Sequence, residues 1–179
     1  MTRSSGERQR RDLLLGEWAC LGVLYRGQTH GFAIASTLRP GGELGRVWSL
    51  SRALTYRSLD QLVERGLVRT VGEERGIAGG NRTVLAATRT GRAELRRWMA
   101  TPVEHLRDLR SELLLKLVIA ERCGIDVDQM LVRQRAIVAD LAAAVAPADD
   151  ADAAGVADVV LLWRHETAAA ALRFLDQLP

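Results

Sequence analysis

Ser51-Arg-Ala-Leu-Thr-Tyr-Arg-Ser-Leu-Asp-Gln-Leu-Val-Glu-Arg-Gly-Leu-Val-Arg-Thr-Val71 decides how this chain is read. Ser49 or Ser51 can cap a helix, because a serine hydroxyl accepts a first-turn amide N–H, and Gly66 offers the left-handed residue on which such a helix stops. Leu54, Tyr56, Leu59, Leu62 and Val63 are the expected inward face, with a polar face turned outward. Leu67 to Val71 is then short and β-branched, Gly72 to Arg82 is rich in glycine and charge, and Thr83 to Ala87 is apolar again. Two strands joined by a polar, glycine-bearing hairpin loop account for that pattern.

Upstream, Leu14, Trp18, Leu21, Leu24 and Tyr25 recur at spacings of three and four, which predicts an amphipathic helix over Leu13 to Tyr25 that ends at Gly27. A shorter helix is expected from His30 to Leu38, with Phe32, Ile34, Ala35 and Leu38 available for packing and Arg39-Pro-Gly-Gly42 as its stop. Helix, helix, helix, strand, loop, strand is the order of a winged helix-turn-helix, and it fits within about ninety residues.

Downstream the strand signals cease. Thr88-Arg-Thr-Gly-Arg92 opens a helix through Leu95, Trp98 and Met99, which Pro102 breaks. Glu104 to Arg122 repeats Leu106, Leu109, Leu113, Leu117 and Ala120 before Gly124. Asp126-Val-Asp-Gln129 has the form of a capping box ahead of Met130, Leu131, Ile137, Val138 and Leu141. Ala142 to Ala154, broken by Pro147, reads as a loop or frayed connection, and a last helix from Val156 to Leu178 carries Val156, Val160, Trp163, Thr167, Ala170 and Phe174 on one stripe. The expectation is a mostly α chain: a winged helix-turn-helix domain with a two-stranded wing over residues 1–101, and an α-helical dimerisation domain over 102–179. Three helices with narrow apolar stripes make a thin core, so a second copy is expected to complete it; a bundle packed within one chain is the alternative.

The net charge of +3 conceals an asymmetry: residues 1–100 carry 17 Arg against 9 acids, whereas 101–179 carry 8 Lys plus Arg against 13 acids. A basic first half suggests a polyanionic partner for that half alone. The preference for arginine fits guanidinium recognition of phosphate and guanine edges, and fits a GC-rich genome equally well. Cys20 and Cys123 sit in apolar segments without zinc-ligand spacing and read as small buried hydrophobes. His30, His105 and His165 have no Cys or carboxylate at ligand spacing, and no nucleophile motif or phosphate-cradling glycine loop is present. No metal, cofactor or catalysis is therefore expected. No run reaches the roughly 18 apolar residues of a membrane span, and Met1 to Arg11 is polar and basic without an apolar segment behind it, so a cytoplasmic location is expected.

A helix fits the major groove of duplex DNA, and its first turns meet the base edges while its amide groups favour phosphate. Ser51, Arg52, Thr55 and Arg57 are the candidates there. Arginine can grip guanine O6 and N7, and threonine can donate to a base or meet a thymine methyl. Asn81 and Arg82 on the hairpin could lie along the minor groove or its phosphates, with Arg82 preferred to Arg75 because Glu73 and Glu74 leave the wing base acidic. Gly76, Gly79 and Gly80 fit a wing tip that orders on DNA, or simply a permissive loop. A winged module that binds a ligand or a protein without reading DNA is the alternative.

Five blocks in order resemble the PadR-type transcriptional regulators. Leu14-Leu-Gly-Glu-Trp-Ala-Cys-Leu-Gly-Val-Leu24 is similar to that family's first helix, and His30-Gly-Phe-Ala-Ile34 to the HGYEI-like opening of its second. Ser51 to Leu59, with Leu62 and Glu64-Arg-Gly-Leu-Val68, resembles its recognition helix and exit. Thr88-Arg-Thr-Gly-Arg-Ala-Glu-Leu95 resembles the block after its wing, and Arg110-Ser-Glu-Leu-Leu-Leu-Lys-Leu117 the run opening its C-terminal helical domain. The family usually reads glycine, small residue, Leu, Tyr, Pro in the recognition helix, where this chain has Ala53, Leu54, Thr55, Tyr56 and Arg57; which of Leu54 and Thr55 faces inward is left open. The resemblance implies a homodimeric repressor of a palindromic operator, with the Tyr56 ring half-buried and its hydroxyl near a phosphate. It also implies a small-molecule effector held between the winged domain and the C-terminal helices or at the dimer seam. Trp18, Trp98, Trp163 and His165 are the side chains that could line such a pocket, or that could simply be core.

Overall fold

Glu17 starts the first helix by folding its carboxylate back to accept the Leu14 amide N–H at 2.8 Å. In this computed structural model, which describes residues 12–75, 80–145 and 159–178, that helix is α1, Leu15–Leu24. It is followed by strand β1 (Thr29–His30), α2 (Gly31–Leu38), α3 (Arg52–Glu64), β2 (Val68–Arg75), β3 (Asn81–Ala87) and α4 (Arg89–Met99). The chain divides into two compact units, Met1–Arg92 and Ala93–Pro179. The leader Met1 to Arg11, the wing-tip glycines Gly76 and Gly79, most of Ala142 to Ala154, and Val156 fall outside the described residues.

In the first unit α1 is buried nearly all round, from Gly16 to Leu24, rather than along one stripe, and the expected inward Leu14 is exposed. The reason is packing on several sides: α1 meets α2, α3 and β3. Its Cys20 is fully buried, and desolvation, followed by the charge of Glu17, pushes the thiol up to about 12, so the cysteine behaves as an apolar filler. The sheet has three strands in the order β1-β3-β2, not the two of the hairpin alone, because Thr29 and His30 pair antiparallel with Leu85 and Val84. β2 and β3 reach further into the loop than their apolar residues suggested, Arg75 pairing with Asn81, with a register irregularity between Thr70 and Gly72. Hydrogen bonding along a hairpin continues through polar residues once the register is set, which the apolar pattern does not show.

The second unit contains a short helix α5 (Leu106–Asp108), a five-residue π-helical segment (Leu109–Leu113), α6 (Leu114–Cys123), α7 (Asp128–Ala143) and α8 (Val159–Leu175). The helix expected over Glu104 to Arg122 is thus interrupted by the wider π turn, a backbone feature that side-chain periodicity does not encode. The capping box expected at Asp126 and Gln129 is absent: Val127 occupies the cap position, and Asp126 accepts the Asp128 N–H at 2.8 Å instead. Val103, Leu113, Met130, Leu131, Val138 and Leu175 form this unit's core. Among the described residues no helix is long and apolar enough to cross a membrane.

Candidate nucleic-acid interface

Ser51, not Ser49, caps α3: its Oγ accepts the Leu54 N–H at 3.2 Å. The helix ends where Gly66 takes φ +69°, a conformation open to glycine at no steric cost. Between these ends the inward stripe is Thr55, Leu59 and Leu62. Leu54, Tyr56 and Val63, expected inside, are exposed. This corrects two residues together. Thr55 is 0% exposed and donates its hydroxyl to the Ser51 carbonyl at 3.0 Å, so it supports the helix from below and does not reach a DNA groove. Leu54, 49% exposed, takes the outward place. The two methyl-bearing residues exchange roles because 100° per residue aligns position 55, not 54, with 59 and 62.

Arg52, Tyr56 and Arg57 therefore stand on the accessible side of α3. The Arg52 guanidinium carbon lies 5.8 Å from the Tyr56 ring centroid and 5.6 Å from that of Phe32 on α2. Arg82, on β3, approaches the same Phe32 ring at 5.5 Å, with its Nη1 3.5 Å from His30 Nε2. Phe32, expected in the core, is 50% exposed because it serves as a platform for two guanidinium groups. Tyr56 lies over Gly31, where any Cβ would come within 2.7 Å of Tyr56 Cε1; only glycine leaves room for the ring. No carboxylate among the described residues forms an ion pair with Arg52, Arg57 or Arg82. Asn81, by contrast, donates to Glu73 Oε2 at 2.8 Å, so its amide is already engaged within the wing.

Beside these side chains a groove of about 790 Å³ between α3 and the wing is lined by Leu59 and Leu85 together with Arg52, Arg82, Asp60 and Glu64. Phe32 and His30 were not expected at this site. The signal for them was the His30-Gly-Phe run at the head of α2, which sequence periodicity assigns to packing.

Of the four candidate effector side chains, the three in the second unit do not line one groove. Trp18 is buried in α1 of the first unit. In the second, Trp98 packs its ring 4.8 Å from Lys116 Nζ, and His165 is half-buried on α8. Trp163, 71% exposed, lines an open groove of about 840 Å³ with His105, Arg107, Arg110 and Arg164, to which Trp98 and His165 do not contribute.

Three helices, the third of them exposed, with a β-hairpin wing beside it, define a winged helix-turn-helix fold. Residues 20–97 match the family model of the Transcriptional regulator PadR-like family. Among solved structures it is similar to Bacillus subtilis PadR in complex with operator DNA, at 22% identity and TM-score 0.47 over 89% of this chain and 95% of that one. It is also similar to Bacillus subtilis PadR in complex with p-coumaric acid, at 21% identity and TM-score 0.42 over 93% and 94%. A third likeness is to smu.1604c from Streptococcus mutans UA159, at 15% identity and TM-score 0.46 over 92% and 98%. No curated protein sequence matches the chain.

Proposed function

We propose that this chain is a cytoplasmic repressor, without enzymatic activity, that binds a palindromic operator as a homodimer. Residues 1–101 read duplex DNA, and 102–179 hold the two copies together. The observation that carries the reading is the set of three guanidinium groups, Arg52, Arg57 and Arg82, held by α3 and the wing with no ion-pair contact to a carboxylate among the described residues. Guanidinium groups left this way on a helix and an adjacent hairpin suit phosphate and guanine edges. α3 enters the major groove: Ser51 and Arg52 meet its edge at the helix start, Arg57 points from the exposed face, and Tyr56 braces Arg52. Arg82 and Asn81 follow the wing to the neighbouring backbone. In the second unit, the exposed Val159, Val160, Leu161, Leu162 and Trp163 at the start of α8 are the surface a second copy covers. A small-molecule effector enters the groove that Trp163 lines beside Arg107, Arg110 and Arg164.

Fluorescence anisotropy with a duplex of the intergenic region upstream of the protein's own gene tests this. Arg52→Ala and Arg57→Ala are each expected to weaken binding by about tenfold or more, as loss of a charge-assisted contact to the duplex does. Wild-type binding no tighter than to a scrambled duplex would leave a winged module that binds a protein or a ligand.

A further inference from the structure

His30 faces two hydrogen-bond donors with a single lone pair to offer. Its Nδ1 accepts the Ala33 N–H at 3.1 Å, which caps α2, while Arg82 Nη1 approaches its Nε2 at 3.5 Å. A neutral imidazole carries one accepting nitrogen and one N–H. The shorter bond, to a backbone amide that has no other partner in the first turn of a helix, takes the acceptor. Nε2 then bears the proton, and Nε2–H and the Arg82 fork become two donors turned toward each other with no acceptor between them.

We propose that His30 and Arg82 form a phosphate clamp at the junction of α2 and the wing, closed by one backbone phosphate of duplex DNA. An anionic oxygen is the group that satisfies both donors at once, and charge-assisted bonds from a guanidinium to phosphate are the strong kind. The Phe32 ring holds the guanidinium in place at 5.5 Å, so less of its rotamer freedom is lost on binding. The clamp rests on the DNA-binding reading and adds to it a phosphate-positioning site at the head of α2, beside the recognition helix.

His30→Asn separates the clamp from the cap, since asparagine caps a helix as well as any residue yet has no donor reaching as far as Nε2. Affinity for the upstream duplex is expected to fall about fivefold to tenfold in His30→Asn with the melting temperature unchanged. In Arg82→Ala the slope of log affinity against log salt should also fall, by about 0.9 per subunit. The double variant should bind about as weakly as Arg82→Ala alone, because a clamp acts as a unit. Duplexes carrying single methylphosphonates should reveal one position where wild type loses affinity and the double variant does not. Long-range nitrogen-proton spectra of the free protein should show His30 protonated on Nε2. Wild type failing to prefer the upstream duplex would remove the DNA-binding reading itself. If wild type binds the duplex, the clamp is overturned by His30→Asn binding equally tightly, by additive losses, by the absence of such a methylphosphonate position, or by a proton on Nδ1. Displacement of the duplex by inorganic phosphate in wild type but not in Arg82→Ala would make this a free-anion site and overturn the proposal as well.

Discussion

Lys116 is the residue on which the physics of the second unit is most exposed. Its side chain is 0% accessible, with Nζ 2.6 Å from Glu112 Oε1 on the preceding turn, 2.7 Å from the Thr101 carbonyl and 4.8 Å from the Trp98 ring. Burial holds the ammonium below its ordinary 10.5, and the Glu112 hydrogen bond and charge only partly oppose this. The unfolded chain therefore keeps the proton to higher pH than the folded one. The cost of burying the charge is fully present below the folded-state pKa and shrinks as pH rises toward 10.5. Stability of wild type relative to Lys116→Met, measured by urea unfolding, should rise with pH over that alkaline window; a flat difference would mean that the ammonium bears no burial penalty. Lys116→Ala, which leaves Glu112 and Thr101 without their partner, should cost about 3 kcal/mol at neutral pH. The i, i+4 spacing of Glu112 and Lys116 was legible in the Arg110 to Leu117 run, but Trp98 and Thr101 were not, because they approach from a separate stretch of chain. The same division holds at the candidate nucleic-acid interface. Arg52, Arg57 and Arg82 could be read from charge and position, whereas His30 and Phe32 depend on the antiparallel pairing of β1 with β3.

At the scale of elements, the presence and approximate extent of α2, α3 and α7 were legible from their periodicity, whereas their faces and caps were only partly so: Phe32, Leu54, Tyr56 and Val63 are exposed and the Asp126 capping box is absent. α1 has no polar face to reveal its limits, β1 is too short to show alternation, and the π-helical segment leaves the apolar spacing of Leu106, Leu109 and Leu113 intact while altering the backbone. Thr55 belongs to this scale too, since a polar residue on an inward stripe is recognised only once its hydroxyl is seen to return to the Ser51 carbonyl. Gln134 is the clearest case in the second unit. It is 0% exposed on α7, where its Oε1 accepts the Val103 N–H at 2.7 Å and its Nε2 donates to the Val103 carbonyl at 2.9 Å. The side-chain amide thus imitates a strand partner for one residue and fastens the segment after α4 to the helix. Gln134→Met keeps the volume but orphans both backbone groups, and should destabilise by about 2 to 3 kcal/mol in urea unfolding with little change in m-value. A loss under half a kcal/mol would show that water replaces the amide.

On the proposed dimeric reading, the decisive quantity for the whole molecule is how many charges meet DNA at once, because that number depends on both copies. α8 begins with five consecutive exposed apolar residues, Val159 to Trp163, while its buried contacts, Ala168 and Leu175, lie further along. Arg135 fixes the far end by donating to the Leu175 and Leu178 carbonyls, so the exposed start sits on an anchored helix. Leu162→Glu with Trp163→Glu should convert the proposed dimer to a monomer in sedimentation at micromolar concentration, with the melting temperature of the winged unit retained. Each subunit that offers three unpaired arginines to phosphate contributes about −2.7 to the salt slope, so a dimer should show roughly −5 and the double-glutamate variant about half of that. Arg57→Ala in the dimeric background should lower the slope by about 1.8, since the residue counts twice. A monomer with an unreduced slope would mean that one subunit alone contacts the duplex, and the symmetric arrangement would have to be abandoned. An unchanged mass would instead place the dimer contact away from α8. A halved mass with a halved slope would tie the acidic helical unit to the basic winged one through a single physical requirement: two exposed recognition helices held at the spacing of successive major grooves.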